Sequence, residues 1–359
     1  MARRPVRRWA QCLLIPLAAL LVYQVITRML YGVSLLYGAM DYALFSKTFF
    51  GFSKLQTGLA ALAFTGGCAA VAAIFAPLLW RARTVAAIFS VAVILTAVLF
   101  LGETTGKNYN AIQGTARTAI EIQTVVWATG GFLALLLAVA DFRSRRDASA
   151  WLLALWVLGT FAFLAFVNWT VNARSVLPII PAVGILIVRR LEGKDRLKGE
   201  FWPRGIALCL FASLALALAV LQADYLLAVA VRQNAQEVCA DYRQRVGTLW
   251  FQGHWGFQLY MNAAGASALD FKQSALKTGD ALAVPSNNTN LLPPDPRKTD
   301  LVEIYRVPGP WFVTTCNDKM GAGFYASVWG PLPFAFGRVP PESVSIYILK
   351  PLLQAAPPN

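Results

Sequence analysis

The chain has 359 residues, a mean hydropathy of +0.54 and 14% charged residues, against roughly 25% in an ordinary water-soluble domain. Its formal charge of +14 is unevenly placed: residues 1–223 hold 21 Lys and Arg against 8 Asp and Glu, and the remainder holds 11 against 10. The excess belongs to the apolar part and reads as membrane topology, which excludes a nucleic-acid face and implies membrane lipid as a partner.

A bilayer core takes roughly 20 mostly apolar residues per helix. Runs near 10–31, 55–80, 84–102, 118–140, 150–168, 174–190 and 204–227 predict a membrane α-helical bundle of about seven transmembrane helices. The first run follows the basic stretch Arg3, Arg4, Arg7 and Arg8, as a signal peptide would, but it is too long and lacks a small-residue cleavage site. It therefore predicts a retained helix. With the N-terminus in the cytoplasm, fifteen basic residues fall on the inner side and six on the outer, among them Arg28, Lys54, Lys107 and Arg174. The positive-inside rule favours that orientation, and seven spans then place the C-terminal domain outside the cytoplasm. Within the second run, Gly58–Gly67 is rich in Ala and Gly, which lets helix backbones approach closely in lipid.

The boundary falls at residue 227, with the bundle over 1–227 and a small soluble α/β domain over 228–359. Helix continues through Arg232–Arg245, and Thr248–Phe251 predicts a short buried strand between Gly247 and Gly253. A helix over His254–Ala264 follows, with Gly265 placed to cap it. Further strands are expected at Ala281–Val284, Leu301–Val307, Trp311–Thr315 and Ser343–Leu349, with an exposed loop over Ser286–Thr299. Gly321–Gly337 mixes aromatics with Gly and Pro too densely for regular structure, and is expected to lie against the membrane interface or the bundle mouth. Cys12, Cys68 and Cys209 sit in apolar runs; Cys239 and Cys316 are in the tail, where their pairing is left open.

Ionisable residues in or beside spans are costly and are functional candidates. Arg174, at the outer end of the sixth run and just before Pro178 and Pro181, is suited either to bidentate contact with a phosphate or to snorkelling among headgroups. Asp41, after the first span, is a candidate carboxylate base; Glu103 and Glu121 flank the next outer loop. His254 is the single histidine, so a multi-histidine zinc site is ruled out; with Trp255 it is a candidate for substrate contact or for a structural role at a strand-to-helix turn. No Walker A loop, dinucleotide fingerprint, metal-ligand cluster or nucleophile elbow is present, so neither metal nor cofactor is expected.

The segment Val171-Asn-Ala-Arg-Ser-Val-Leu-Pro-Ile-Ile-Pro-Ala-Val-Gly184 resembles a late transmembrane segment of polytopic GT-C glycosyltransferases, in particular the family 39 group related to polyprenyl-phosphate-mannose protein mannosyltransferases. Gly253-His-Trp-Gly-Phe-Gln-Leu-Tyr-Met-Asn262, Gly321–Tyr325 and Trp329–Gly337 look like bacterial members of that group. The resemblance implies a chain corresponding to the C-terminal portion of such an enzyme, in the inner (plasma) membrane of a bacterium. It implies transfer of a sugar from a polyprenyl-phosphate carrier at the outer face, with Arg174 holding the carrier phosphate. Family members carry an essential acid in a large first outer loop; here that segment offers Asp41 alone. The alternative is a non-catalytic membrane-anchored protein that binds a glycan or a partner.

Overall fold

The computed structural model describes residues 6–50, 53–101, 115–193, 201–242, 245, 247–289 and 291–351. Glu103 and Lys107, and with them most of the expected second outer loop, lie outside the described residues. Twelve α-helices are described: α1 (Val6–Tyr31), α2 (Leu35–Phe50), α3 (Lys54–Cys68), α4 (Ala70–Ile74), α5 (Ala76–Leu79), α6 (Ala82–Leu101), α7 (Thr115–Arg145), α8 (Ala148–Ala162), α9 (Ala173–Val176), α10 (Ile180–Glu192), α11 (Phe201–Tyr242) and α12 (Trp255–Ala263). Among the described residues, five are long and apolar enough to cross a bilayer: α1, α6, α7, α8 with the π turn that extends it, and α11.

The expected count of seven is therefore not reached by this measure. The run over 55–80 is helical but breaks at Ala69, whose φ −101 and ψ 40 separate α3 from α4, and again at Phe75 before Pro77. The run over 174–190 breaks at Pro178, where a short 3-10 turn over Leu177–Ile179 separates α9 from the 13-residue α10. Proline removes a backbone donor and clashes with the preceding turn, so a hydropathy run can continue where a helix cannot. The helix α2 occupies a segment for which no helix was expected, and its side chains Leu35, Leu36, Met40 and Leu44 are exposed. Exposed apolar side chains of this kind along α1, α6, α8 and α11 are what a lipid-facing surface requires.

The bundle core forms where α3 crosses α7. A Cβ added at Gly66 would lie 1.7 Å from the Trp127 carbonyl oxygen, and one at Gly131 would lie 2.1 Å from that of Leu62. Only hydrogen fits at this crossing, so the small residues expected to pack do so, through backbone contact. Phe64, Leu79, Leu137, Val157, Leu164 and Ile179 are fully enclosed beside it.

The two ends of the bundle differ. At one, Asp141 of α7 accepts from Arg189 of α10 at 2.9 Å and from Arg145 at 3.1 Å. Arg190 donates to the Leu79 carbonyl and lies 3.6 Å over the Trp80 ring. At the other end, the segment Gly321–Gly337 packs on the bundle. Trp127 meets Phe334 edge-on at 5.0 Å, and the Gln123 side chain donates to the Phe336 carbonyl and accepts its N–H. Residues 120 and 141 are about 32 Å apart along α7 at 1.5 Å per residue, close to the roughly 30 Å of a hydrocarbon core.

The tail is a mixed sheet with helices on one face. Its strands are β1 (Leu249–Phe251), β2 (Ser267–Ala268), β3 (Ala281–Pro285), β4 (Thr299–Val307) and β9 (Glu342–Leu349), in the order β2-β1-β3-β9-β4. Between β4 and β9 run the two-residue strands β5 (Val313–Thr314), β6 (Cys316–Asn317), β7 (Ala322–Gly323) and β8 (Ala335–Phe336). β1 runs parallel to β2 and β3, and β9 runs antiparallel to β3 and β4. The last turns of α11, through Ala235, Val238 and Tyr242, pack with Phe257 and Met261 of α12 onto Phe251, Ala281, Ala283, Val344 and Ile346. Asp280 anchors the start of β1: burial alone would raise its carboxyl, but N–H donors from Lys277, Trp250 and Thr248 hold it below the usual range. Cys239 lies 3.6 Å from the Met261 sulfur and Cys316 lies beside Asn287, both as buried thiols. The pairing left open from the sequence is not formed.

Candidate functional site

Arg174 is set by a segment that the tail stitches in place. The π turn over Phe163–Val167 ends α8, and an extended stretch leads into α9, whose start is capped by the Asn172 side chain accepting from the Ser175 N–H at 3.0 Å. The Val171 carbonyl accepts the Ser327 N–H at 2.7 Å, the Ser327 hydroxyl accepts the Val171 N–H at 3.1 Å, and the Ala173 N–H donates to the Phe324 carbonyl at 2.9 Å. These bonds close two loops distant in sequence against one another, so neither is free to drift alone.

They bring Arg174 within electrostatic reach of Tyr325. The Tyr325 hydroxyl donates to both carboxylate oxygens of Asp224, at 2.9 and 3.1 Å, and the Thr315 hydroxyl donates to the same group at 2.7 Å. Partial burial and the Asp224 charge push the Tyr325 phenol up, while the positive charge of Arg174 opposes them. The Arg174 side chain is exposed and makes no ion pair among the described residues. A guanidinium without an ion pair among the described residues, in electrostatic reach of a tyrosine that donates to a half-buried carboxylate, can hold an anion while the carboxylate takes up a proton.

Next to this pair stands a cluster of rings. The exposed Trp255 meets Trp329 edge-on at 5.4 Å and Tyr325 at 6.4 Å. Its φ of +59° is unusual for a bulky residue, and the left-handed region costs a non-glycine residue about 1–2 kcal/mol. The preceding residue explains how it is held. The Asn288 side chain accepts the His254 N–H at 2.8 Å and donates to the His254 carbonyl at 3.2 Å, clamping the turn that starts α12. The His254 ring lies 3.2 Å from the Gln258 side-chain oxygen one turn on, which fits the structural role left open for it.

Asp41 is exposed on α2. The next residue, Tyr42, meets Trp169 edge-on at 5.4 Å, so α2 lies beside the segment leading to Arg174. No hydrogen bond or ion pair joins Asp41 to Arg174 among the described residues. Glu121 accepts from Arg117 one turn earlier at 2.9 Å, as a half-exposed ion pair. Between α3, α6, α7 and the π turn, an apolar groove of about 460 Å³ is lined by Leu55, Leu59, Leu99, Phe132, Phe161 and Phe166.

No family model, curated protein or solved structure matches the chain.

Asp224 and Thr315 were not singled out from the sequence. A signal was present for Asp224: it is an acid inside the apolar run 204–227, and such a residue is a candidate by its cost alone. Its partners lie 91 and 101 residues further along the chain, and no local pattern announces them.

Away from this site, the tail encloses the acid Glu342. Glu342 is 5% exposed, accepts from Asn287 at 3.1 Å and faces Asp318. Burial, opposed only by the Asn287 bond, raises its carboxyl to about 7 from 4.5. The unfolded chain therefore loses this proton first, and stability falls as pH rises from 4.5 toward 7, then levels. Glu342→Gln is expected to flatten that slope and to raise stability at pH 8 by about 3 kcal/mol at most. Thermal unfolding in detergent at pH 5 and pH 8 checks it; equal pH dependence in both proteins would contradict a buried protonated acid.

Proposed function

We propose that the chain is a membrane glycosyltransferase that moves a sugar from a polyprenyl-phosphate carrier to an acceptor hydroxyl at the extracytoplasmic face of a bacterial plasma membrane. One observation carries this reading: Arg174, exposed and without an ion pair among the described residues, lies within electrostatic reach of Tyr325, whose hydroxyl donates to Asp224, at the bundle end away from the Asp141, Arg145 and Arg189 cluster. Arg174 holds the carrier phosphate, and Asp224 removes the acceptor proton. The new bond forms between the acceptor oxygen and the anomeric carbon, and the bond to phosphate breaks with its electron pair retained by the phosphate. A guanidinium aimed at that developing charge needs no metal. The apolar groove beside the π turn suits the isoprenoid chain, and Asp41 on α2 offers an alternative carboxylate, next to Tyr42, which meets Trp169.

The charge asymmetry of the bundle supports the orientation, with the Arg145 and Arg189 end in the cytoplasm and all seven apolar runs embedded. The test uses the full chain in nanodiscs with polyprenyl-phosphate-linked hexoses and pentoses, measuring release of polyprenyl phosphate. Arg174→Ala is expected to lower release by about 10²–10³-fold, with partial recovery in Arg174→Lys. Unchanged release in Arg174→Ala would overturn the assignment. A reporter fused after Asn359 that is active only in the cytoplasm would overturn the orientation.

A further inference from the structure

We propose that Trp255, with Tyr325 and Trp329, forms a carbohydrate-binding shelf that receives a pyranose ring, so that the acceptor of the transfer is a glycan. The inference rests on the sugar-transfer reading for the role of that ring, while binding itself stands on the geometry of the shelf. A pyranose is apolar on its C–H faces and polar around its edge, so it is recognised by a flat aromatic surface with hydrogen-bonding groups beside it. Both are present. Trp255 is 55% exposed and Tyr325 is 36% exposed, their ring centroids 6.4 Å apart, and the Tyr325 hydroxyl ends on the Asp224 carboxylate, with Arg174 within electrostatic reach.

The shelf is also held rigid on both sides. On one, the Asn288 side chain grips both backbone groups of His254 and Trp255 adopts φ +59°. On the other, Gly330 packs so closely that an added Cβ would lie 2.1 Å from the Gly321 carbonyl oxygen, which fixes the loop carrying Tyr325 and Trp329. Strain retained at an exposed aromatic residue is what a binding site keeps and a mere surface residue would relax. A tryptophan that only anchored the protein among lipid headgroups would need neither a strained backbone nor a carboxylate-held tyrosine beside it.

The strain supplies a discriminating variant. Asparagine tolerates the left-handed region, so Trp255→Asn removes the ring while easing the backbone. Saturation-transfer NMR on the full chain in nanodiscs, with methyl hexopyranosides and their β-linked disaccharides as probes, is expected to mark ring C–H protons of at least one probe. The signal should fall about tenfold or more in Trp255→Asn, persist in Trp255→Phe and persist in Arg174→Ala, while the unfolding midpoint of Trp255→Asn is not lowered. Absence of signal for every probe above that of empty nanodiscs, or equal signal in Trp255→Asn, would overturn the shelf. So would loss, in that variant alone, of tryptophan quenching by brominated lipid, which would place the indole in the bilayer instead. Binding without any transfer would leave the shelf standing and remove the enzymatic reading; transfer unaffected by Trp255→Asn would leave the enzymatic reading standing and overturn the shelf as the acceptor's site.

Discussion

A valine at Gly131 should leave almost no monodisperse folded protein. The obstacles at this crossing are the Leu62 carbonyl oxygen at 2.1 Å and carbonyl carbon at 2.9 Å from an added Cβ. Both are backbone, so no side chain can swing aside. Overpacking a core usually costs about 1–3 kcal/mol because neighbours adjust; here α3 and α7 must separate, and contacts made by Phe64, Leu137 and Trp127 open with them. A loss above about 3 kcal/mol is expected. Gly66→Val should behave alike, since its added Cβ would sit 1.7 Å from the Trp127 oxygen. Gly58, on the same helix with nothing within 4 Å of an added Cβ, is the control. Gly58→Ala should hold or raise stability by up to about 1 kcal/mol through helix propensity. Size-exclusion profiles and melting in detergent decide it, and a Gly131→Val chain as stable as the parent would show that the two helices do not meet this way.

Asp224→Asn is expected to lower sugar transfer by about 10²–10⁴-fold, the range general bases contribute. The amide oxygen still accepts from the Thr315 and Tyr325 hydroxyls, so the local fold should persist, and Arg174 is untouched. Donor KM should therefore change little while kcat falls. Asp41→Asn provides the comparison. If Asp41→Asn abolishes transfer and Asp224→Asn does not, the base is the carboxylate on α2, as the sequence alone would place it. Tyr325→Phe removes the hydroxyl that spans both Asp224 oxygens and should produce a smaller loss, because it positions the carboxylate rather than accepting the proton.

Periodicity and punctuation carried the sequence reading furthest where one local cause sets the structure. Strand signals at Ala281–Val284 and Ser343–Leu349 became the paired strands β3 and β9, and Gly265 follows α12 with φ +89°. The small residues of Gly58–Gly67 include Gly66, at the closest point of the helix crossing. What local pattern could not supply was direction within an apolar run: the same hydropathy covers 55–80, although Ala69 turns the chain between α3 and α4. The candidate site was legible in part. Arg174 and Trp255 were marked by their chemistry, but Asp224 gains its meaning from Thr315 and Tyr325, and those contacts exist only after the tail has folded back on the bundle. The backbone of Trp255 was equally hidden, because its left-handed φ comes from the grip of Asn288, 34 residues beyond His254.

The helix α11 runs for 42 residues without a break, about 63 Å at 1.5 Å per residue, and it enters two cores. Ala223 belongs to the cluster with Trp127 and Phe334, while Ala235, Val238 and Tyr242 belong to the cluster under the sheet. Asp224 sits one residue past the first of these contacts. A single stiff rod thus works as a spacer: it sets how high the sheet rides above the bundle, and it carries the carboxylate at a fixed mark along its length. Inserting one residue between Tyr225 and Arg232 would rotate everything beyond by about 100° and turn the sheet away from its seat, even though no side chain of the cluster had been altered.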